Sequence, residues 1–113
     1  MSNTVITLNR LKHELNRFIE EYEAKGIEVA KAEHEYRLAK AKKILELRAD
    51  GTSISILQDL AKGDEIVCQK PLEWNIALAL YKSLHERIMA TKKDIDVTND
   101  MIQREWGAMK YAP

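Results

Sequence analysis

An apolar residue recurs every seven positions through the C-terminal half of this chain. The members of the repeat are Val67, Trp74, Tyr81, Ile88, Ile95, Ile102 and Met109. Leu84, Thr91 and Thr98 each follow a member of the repeat by three residues. Because seven residues make close to two helical turns, this spacing places one side of a long α-helix against a partner helix. The repeat predicts how the chain packs and says nothing about a reaction or a ligand.

Composition indicates one all-helical domain. The 113 residues include only two prolines, four glycines and one phenylalanine, while alanine, leucine, glutamate and lysine are frequent. Such a composition favours helices, and a chain of this length forms a single domain, here spanning 1–113. Eighteen basic residues balance eighteen acidic ones, so the chain has no net field to attract nucleic acid or anionic lipid.

Cysteine use and hydropathy predict a cytoplasmic protein without a membrane partner. The single cysteine, Cys68, cannot form an internal disulfide and is interpreted as a small buried apolar residue in a reducing compartment. Residues 1–18 lack the basic and then apolar order of a secretory signal. The longest apolar run covers 76–81, whereas about twenty apolar residues are needed to cross a bilayer.

Glycine and capping residues place the ends of the helices. The first helix is expected from about residue 4 to 49, with Gly51 supplying a left-handed cap after it. Gly26 interrupts the apolar pattern of this helix. It is either a tolerated flaw, a bend, or a place where another backbone comes close. Asp64 is expected to cap the second long helix, because an acidic group is favourable at the positive end of the helix dipole.

The connection and the second long helix follow from the same signals. We expect a connection with a short helix over 50–63. A strand over 52–57 is rejected because it would have no second strand to pair with. The second long helix is expected over about 64–106, kinked or restarted near Pro71 because proline lacks an N–H group. A frayed tail is expected over 107–113.

Two long helices with a short connection predict an antiparallel, coiled-coil-like helical hairpin. Residues 72–84 are apolar around most of the helix, which is more than one neighbouring helix can cover. A short segment containing Ile54, Ile56, Leu57 and Leu60 can cover part of this surface, and a second copy of the chain can cover the rest. The seam assigned to self-association comprises Val67, Trp74, Tyr81, Leu84, Ile88, Ile95 and Ile102. A homodimer, forming a helical bundle, is the predicted assembly.

The sequence contains no recognisable catalytic, metal or cofactor motif, so we expect a protein that is not an enzyme. His34 and His85 are each followed by glutamate, as in the zinc-protease helix motif, but Leu38 and Met89 occupy the positions of the second histidine. A nucleophilic Cys68 is a remote alternative, since no histidine lies near it in the sequence.

Basic residues near the end of the first helix allow a second interpretation. The candidate phosphate contacts are Arg37, Lys40, Lys43 and Arg48. Cations near a helix C-terminus also stabilise the helix dipole, which is the commoner reason for such a pattern. As a functional patch they would contact nucleic-acid phosphates, although no aromatic residue is interleaved to stack on bases.

Trp106 is a candidate exposed anchor for a protein partner. It lies four residues after Ile102, beside the repeat, whereas Trp74 belongs to the repeat and is expected in the core. Tryptophan is frequent among the residues that dominate binding energy at protein interfaces.

Four short stretches carry a resemblance to a known group. They are 36–41 (YRLAKA), 50–53 (DGTS), 62–64 (KGD) and 76–83 (IALALYKS). In these stretches the chain resembles small helical proteins encoded by phages and prophages of Gram-positive bacteria. The resemblance implies an accessory protein in the host cytoplasm that acts in DNA metabolism or against host machinery, and it transfers no functional residue.

The leading hypothesis is a non-enzymatic helical protein that acts through protein–protein interaction and self-association, with a host or phage protein as a further possible partner. The alternative is a nucleic-acid-binding accessory factor that uses the basic patch near the hairpin tip.

Overall fold

The computed structural model of this chain describes residues 3–110, which form three α-helices. Helix α1 spans Asn3–Ala49, helix α2 spans Ile54–Gly63 and helix α3 spans Glu65–Lys110. No strand occurs within residues 3–110. The prediction of an all-α fold, with two long helices and a short helix in their connection, is confirmed.

Helix α1 ends in a Schellman motif. The N–H of Gly51 donates to the carbonyl of Arg48 at 3.0 Å, and the N–H of Thr52 donates to the carbonyl of Leu47 at 2.9 Å. These bonds satisfy carbonyls that the end of a helix leaves without partners. Gly51 has a φ of +83°, which favours glycine because it lacks a Cβ. The predicted stop at Gly51 is confirmed.

Helix α3 is continuous through Pro71, so the expected restart at that residue is wrong. Proline removes one backbone bond in the second turn of the helix. Val67, which is buried, and Trp74, which is half-buried, hold the helix by packing on either side of that turn. The helix also continues to Lys110, so the tail expected from residue 107 is helical as far as 110; residues 111–113 lie outside the described part. A bend at Pro71 stays a prediction.

Packing divides the chain into two units. The end unit consists of Met1–Glu23 and Lys82–Pro113, and the turn unit consists of Ala24–Tyr81. Both long helices contribute to both units, and α2 belongs to the turn unit alone. The expected single domain of 1–113 therefore contains two separately packed parts, each described by itself below.

Each unit pairs α1 with α3 in antiparallel directions. In the end unit, the hydroxyl of Thr4 donates to Oε1 of Glu105 at 2.6 Å. In the turn unit, Nζ of Lys70 lies 3.8 Å from Oε2 of Glu35. Early residues of α1 thus meet late residues of α3, and late residues of α1 meet early residues of α3. The antiparallel hairpin is confirmed.

The core of the end unit is built on the seven-residue repeat of α3. Its buried residues are Leu11, Leu84, Ile88, Thr91 and Thr98. The hydroxyl of Thr91 donates to the carbonyl of Arg87 at 2.8 Å, and that of Thr98 donates to the carbonyl of Asp94 at 2.7 Å. The two threonines can therefore occupy apolar positions because neither buries an unpaired hydroxyl.

The core of the turn unit combines all three helices. Leu57 and Ala61 of α2 and Val67 of α3 are its buried apolar residues. The rings of Tyr36 in α1 and Trp74 in α3 stack with centroids 6.1 Å apart and an interplanar angle of 29°. Only a few side chains are thus fully removed from water in this unit.

Helix α1 passes through Gly26 without interruption, and the ring of Tyr81 packs against this position. A Cβ on Gly26 would lie only 3.2 Å from Cε2 of the Tyr81 ring. Glycine in a helix interior costs about 1 kcal/mol relative to alanine, and here it leaves space for the ring. The interpretation as a place of close approach is supported, with a side chain rather than a backbone as the approaching group.

The seam assigned to self-association is occupied within the chain. Val67, Leu84 and Ile88 are buried, and Trp74, Tyr81, Ile95 and Ile102 are partly buried. A repeat of seven requires a partner helix, and the chain's own α1 provides one. Three of the seven are thus covered within the chain, and the assignment of the seven residues to self-association stays a prediction.

Candidate protein interaction surface

Helix α3 carries a row of exposed apolar side chains on the side opposite to its buried seam. Leu72, Ile76 and Leu80 are 61%, 53% and 47% exposed. They follow one another at steps of four residues, so they lie on one face of the helix. We call these three residues the outer stripe.

Helix geometry explains why the outer stripe faces solvent. Ile76 follows Trp74 by two residues, which is a rotation of about 200° around the helix axis. Because Trp74 packs against Tyr36 of α1, Ile76 faces away from α1. The sequence prediction that one neighbouring helix leaves part of 72–84 uncovered is therefore confirmed for these positions.

The turn unit exposes more apolar surface than the end unit. Ten of the sixteen large apolar residues exposed in the described chain belong to the turn unit.

Helix α2 covers less of the apolar surface than its sequence indicates. Leu57 is buried as expected, but Ile54, Ile56 and Leu60 are 80%, 47% and 47% exposed. Within this short helix, only Leu57 and Ala61 are removed from water. Of the four apolar residues in the segment expected to cover part of the second long helix, only Leu57 is buried.

The four candidate phosphate contacts do not form a cluster of unpaired cations. Arg37 Nη2 lies 2.6 Å from Oε1 of Glu33. Lys43 Nζ lies 3.3 Å from Oδ1 of Asp64 and 3.6 Å from Oε2 of Glu46. Lys40 is half-buried and Arg48 is exposed in the last turn of α1. Phosphate binding by Arg37 or Lys43 would have to compete with these carboxylates, and a nucleic-acid partner stays a prediction.

An open groove of about 390 Å³ lies between the end of α1 and the start of α3. Leu38, Ile66 and Val67 contribute apolar surface to it. Lys43 and Asp64 lie at the same groove and hold the two helices together through their ion pair. Sequence reasoning missed this pair, because only the fold brings residue 43 beside residue 64.

Asp64 joins the cap of α3 to helix α1. Its Oδ2 accepts hydrogen bonds from the N–H groups of Ile66 at 3.1 Å and Val67 at 3.2 Å. The bond from Val67, together with the nearby Lys43 ammonium, holds the pKa of Asp64 below its ordinary value of 3.8. The hydrogen bond to Asp64 likewise raises the pKa of Lys43 above 10.5. The predicted capping role of Asp64 is confirmed.

Substitution of Asp64 by alanine is expected to lower the melting temperature by a few degrees at neutral pH, because α3 loses its cap and Lys43 its partner. The folded-state pKa of Asp64 is below the unfolded value, so its stabilisation is complete above about pH 3.8 and is lost as the pH falls through the folded-state pKa. The difference between the wild type and Asp64→Ala should therefore shrink in acid.

The matched control for Asp64→Ala is Asp64→Asn, which keeps a capping oxygen and removes the charge. We expect Asp64→Asn to melt between the wild type and Asp64→Ala in thermal unfolding followed by circular dichroism. Identical melting temperatures for the wild type and Asp64→Ala at neutral pH would show that neither the cap nor the ion pair contributes.

Cys68 is exposed, so its interpretation as a buried packing residue is wrong. Its thiol contacts the carbonyl of Glu65 at 3.2 Å. Val67 points into the core, and the next residue is rotated by about 100° away from it, toward solvent. We therefore expect the Cys68 thiol to be alkylated rapidly, whereas a buried thiol would react slowly.

The remaining candidate residues lie apart from the outer stripe in the sequence. Trp106 is 71% exposed in the end unit, and its role as an anchor stays a prediction. Within the part of the chain that the structure describes, His, Cys, Asp and Glu side chains form no group of three that could hold a metal ion.

Comparison with known proteins adds no relative. No protein-family model, no curated protein and no solved structure matches this chain. None of the helices within residues 3–110 is long and apolar enough to cross a membrane.

Proposed function

We propose that this chain is a non-enzymatic helical protein that acts by self-association through the outer stripe. The observation that carries the proposal is the exposure of Leu72, Ile76 and Leu80 along one face of α3. A row of large apolar side chains in contact with water is costly, and burying such area is the main driving force of protein association. The inner seam of α3 is engaged with α1, which leaves its outer face for a partner.

The exposed apolar residues of the turn unit support a partner on this part of the chain. Ten of the sixteen large apolar residues exposed in the described chain belong to that unit, the outer stripe among them. A chain with equal numbers of basic and acidic residues also meets its own copy without net repulsion. An accessory protein of a phage, acting as a helical dimer in the host cytoplasm, is the setting we propose.

Sedimentation equilibrium of the wild-type chain tests this function. At tens of micromolar we expect a species with the mass of two 13.0 kDa chains, which dissociates on dilution. A single 13.0 kDa species throughout that range would overturn self-association.

A further inference from the structure

We draw no further inference here: the strongest candidate, the open groove between the end of α1 and the start of α3 that Leu38, Ile66 and Val67 line, carries nothing, because Lys43 and Asp64 at this groove pair with each other and nothing in the structure shows what covers its apolar surface.

Discussion

Replacing Ile88 with alanine lowers the free energy of unfolding by about 3 kcal/mol, because it removes a buried side chain from the core of the end unit. Ile88 is 7% exposed, and it belongs to the seam that sequence reasoning assigned to a second copy. If the seam packs within the chain, the loss appears in the unfolding of the single chain. Urea denaturation at several protein concentrations measures it.

Met89→Ala is the matched control for this substitution. Met89 is the next residue of the same helix and is 50% exposed, so its truncation should cost less than about 1 kcal/mol. The difference between the variants should persist at concentrations at which the wild type is monomeric. Equal effects of Ile88→Ala and Met89→Ala would contradict the placement of the seam inside the hairpin.

Ile76→Lys is expected to convert the dimer into a folded monomer. Lysine is at least as favourable as isoleucine in an exposed helix, so the helix content should not fall. In the proposed dimer, lysine would bring a charge into the outer stripe in place of an apolar side chain. The loss of apolar burial and the cost of removing that charge from water should raise the dissociation constant by about 100-fold or more.

The control for Ile76→Lys is Val97→Lys. Val97 is β-branched, lies on the same helix and is 56% exposed, close to the 53% of Ile76, but it belongs to the end unit. Val97→Lys should sediment as the wild type does. Circular dichroism of both variants checks that each remains helical. If Ile76→Lys still dimerises with wild-type affinity, the outer stripe is not the interface.

The sequence predicts the helices of this protein better than their partners. Gly51 and Asp64 act locally, and both helix ends lie where these residues indicate. The rule for Pro71 is equally local, and it failed because packing of Val67 and Trp74 on either side holds the helix together. A single residue therefore predicts the end of a helix only where packing elsewhere in the chain does not keep the helix continuous.

The seven-residue repeat shows how far the sequence alone can predict a functional surface. Spacing at seven residues requires a partner helix for Ile88 and its neighbours, but it does not say whether that helix is in the same chain. The excess of apolar residues over 72–84 predicts that some of them stay uncovered, and Leu72, Ile76 and Leu80 are exposed. A partner for them stays a prediction.

Side chains far apart in the sequence could not be anticipated. Arg37, Lys40 and Lys43 are close in sequence and suggest a common patch, but each three-residue step rotates the position by about 60°. The fold then places the Asp64 carboxylate beside Lys43, which only a tertiary contact can do. Two of these three cations, Arg37 and Lys43, are thus paired with carboxylates in the folded chain.

Val67 lies on the inner face of α3 and is buried within the chain, whereas the outer face is proposed to bind a second copy, and one measurement tests both. Rates of thiol alkylation are compared for Val67→Cys and Ala79→Cys, each in the Cys68→Ser background, from dilute to concentrated protein. We expect slow reaction at position 67 at every concentration, and rapid reaction at position 79 that slows as the chains associate. A thiol at position 67 that reacts as fast as one at position 79, or a rate at position 79 that is independent of concentration, would contradict this expectation.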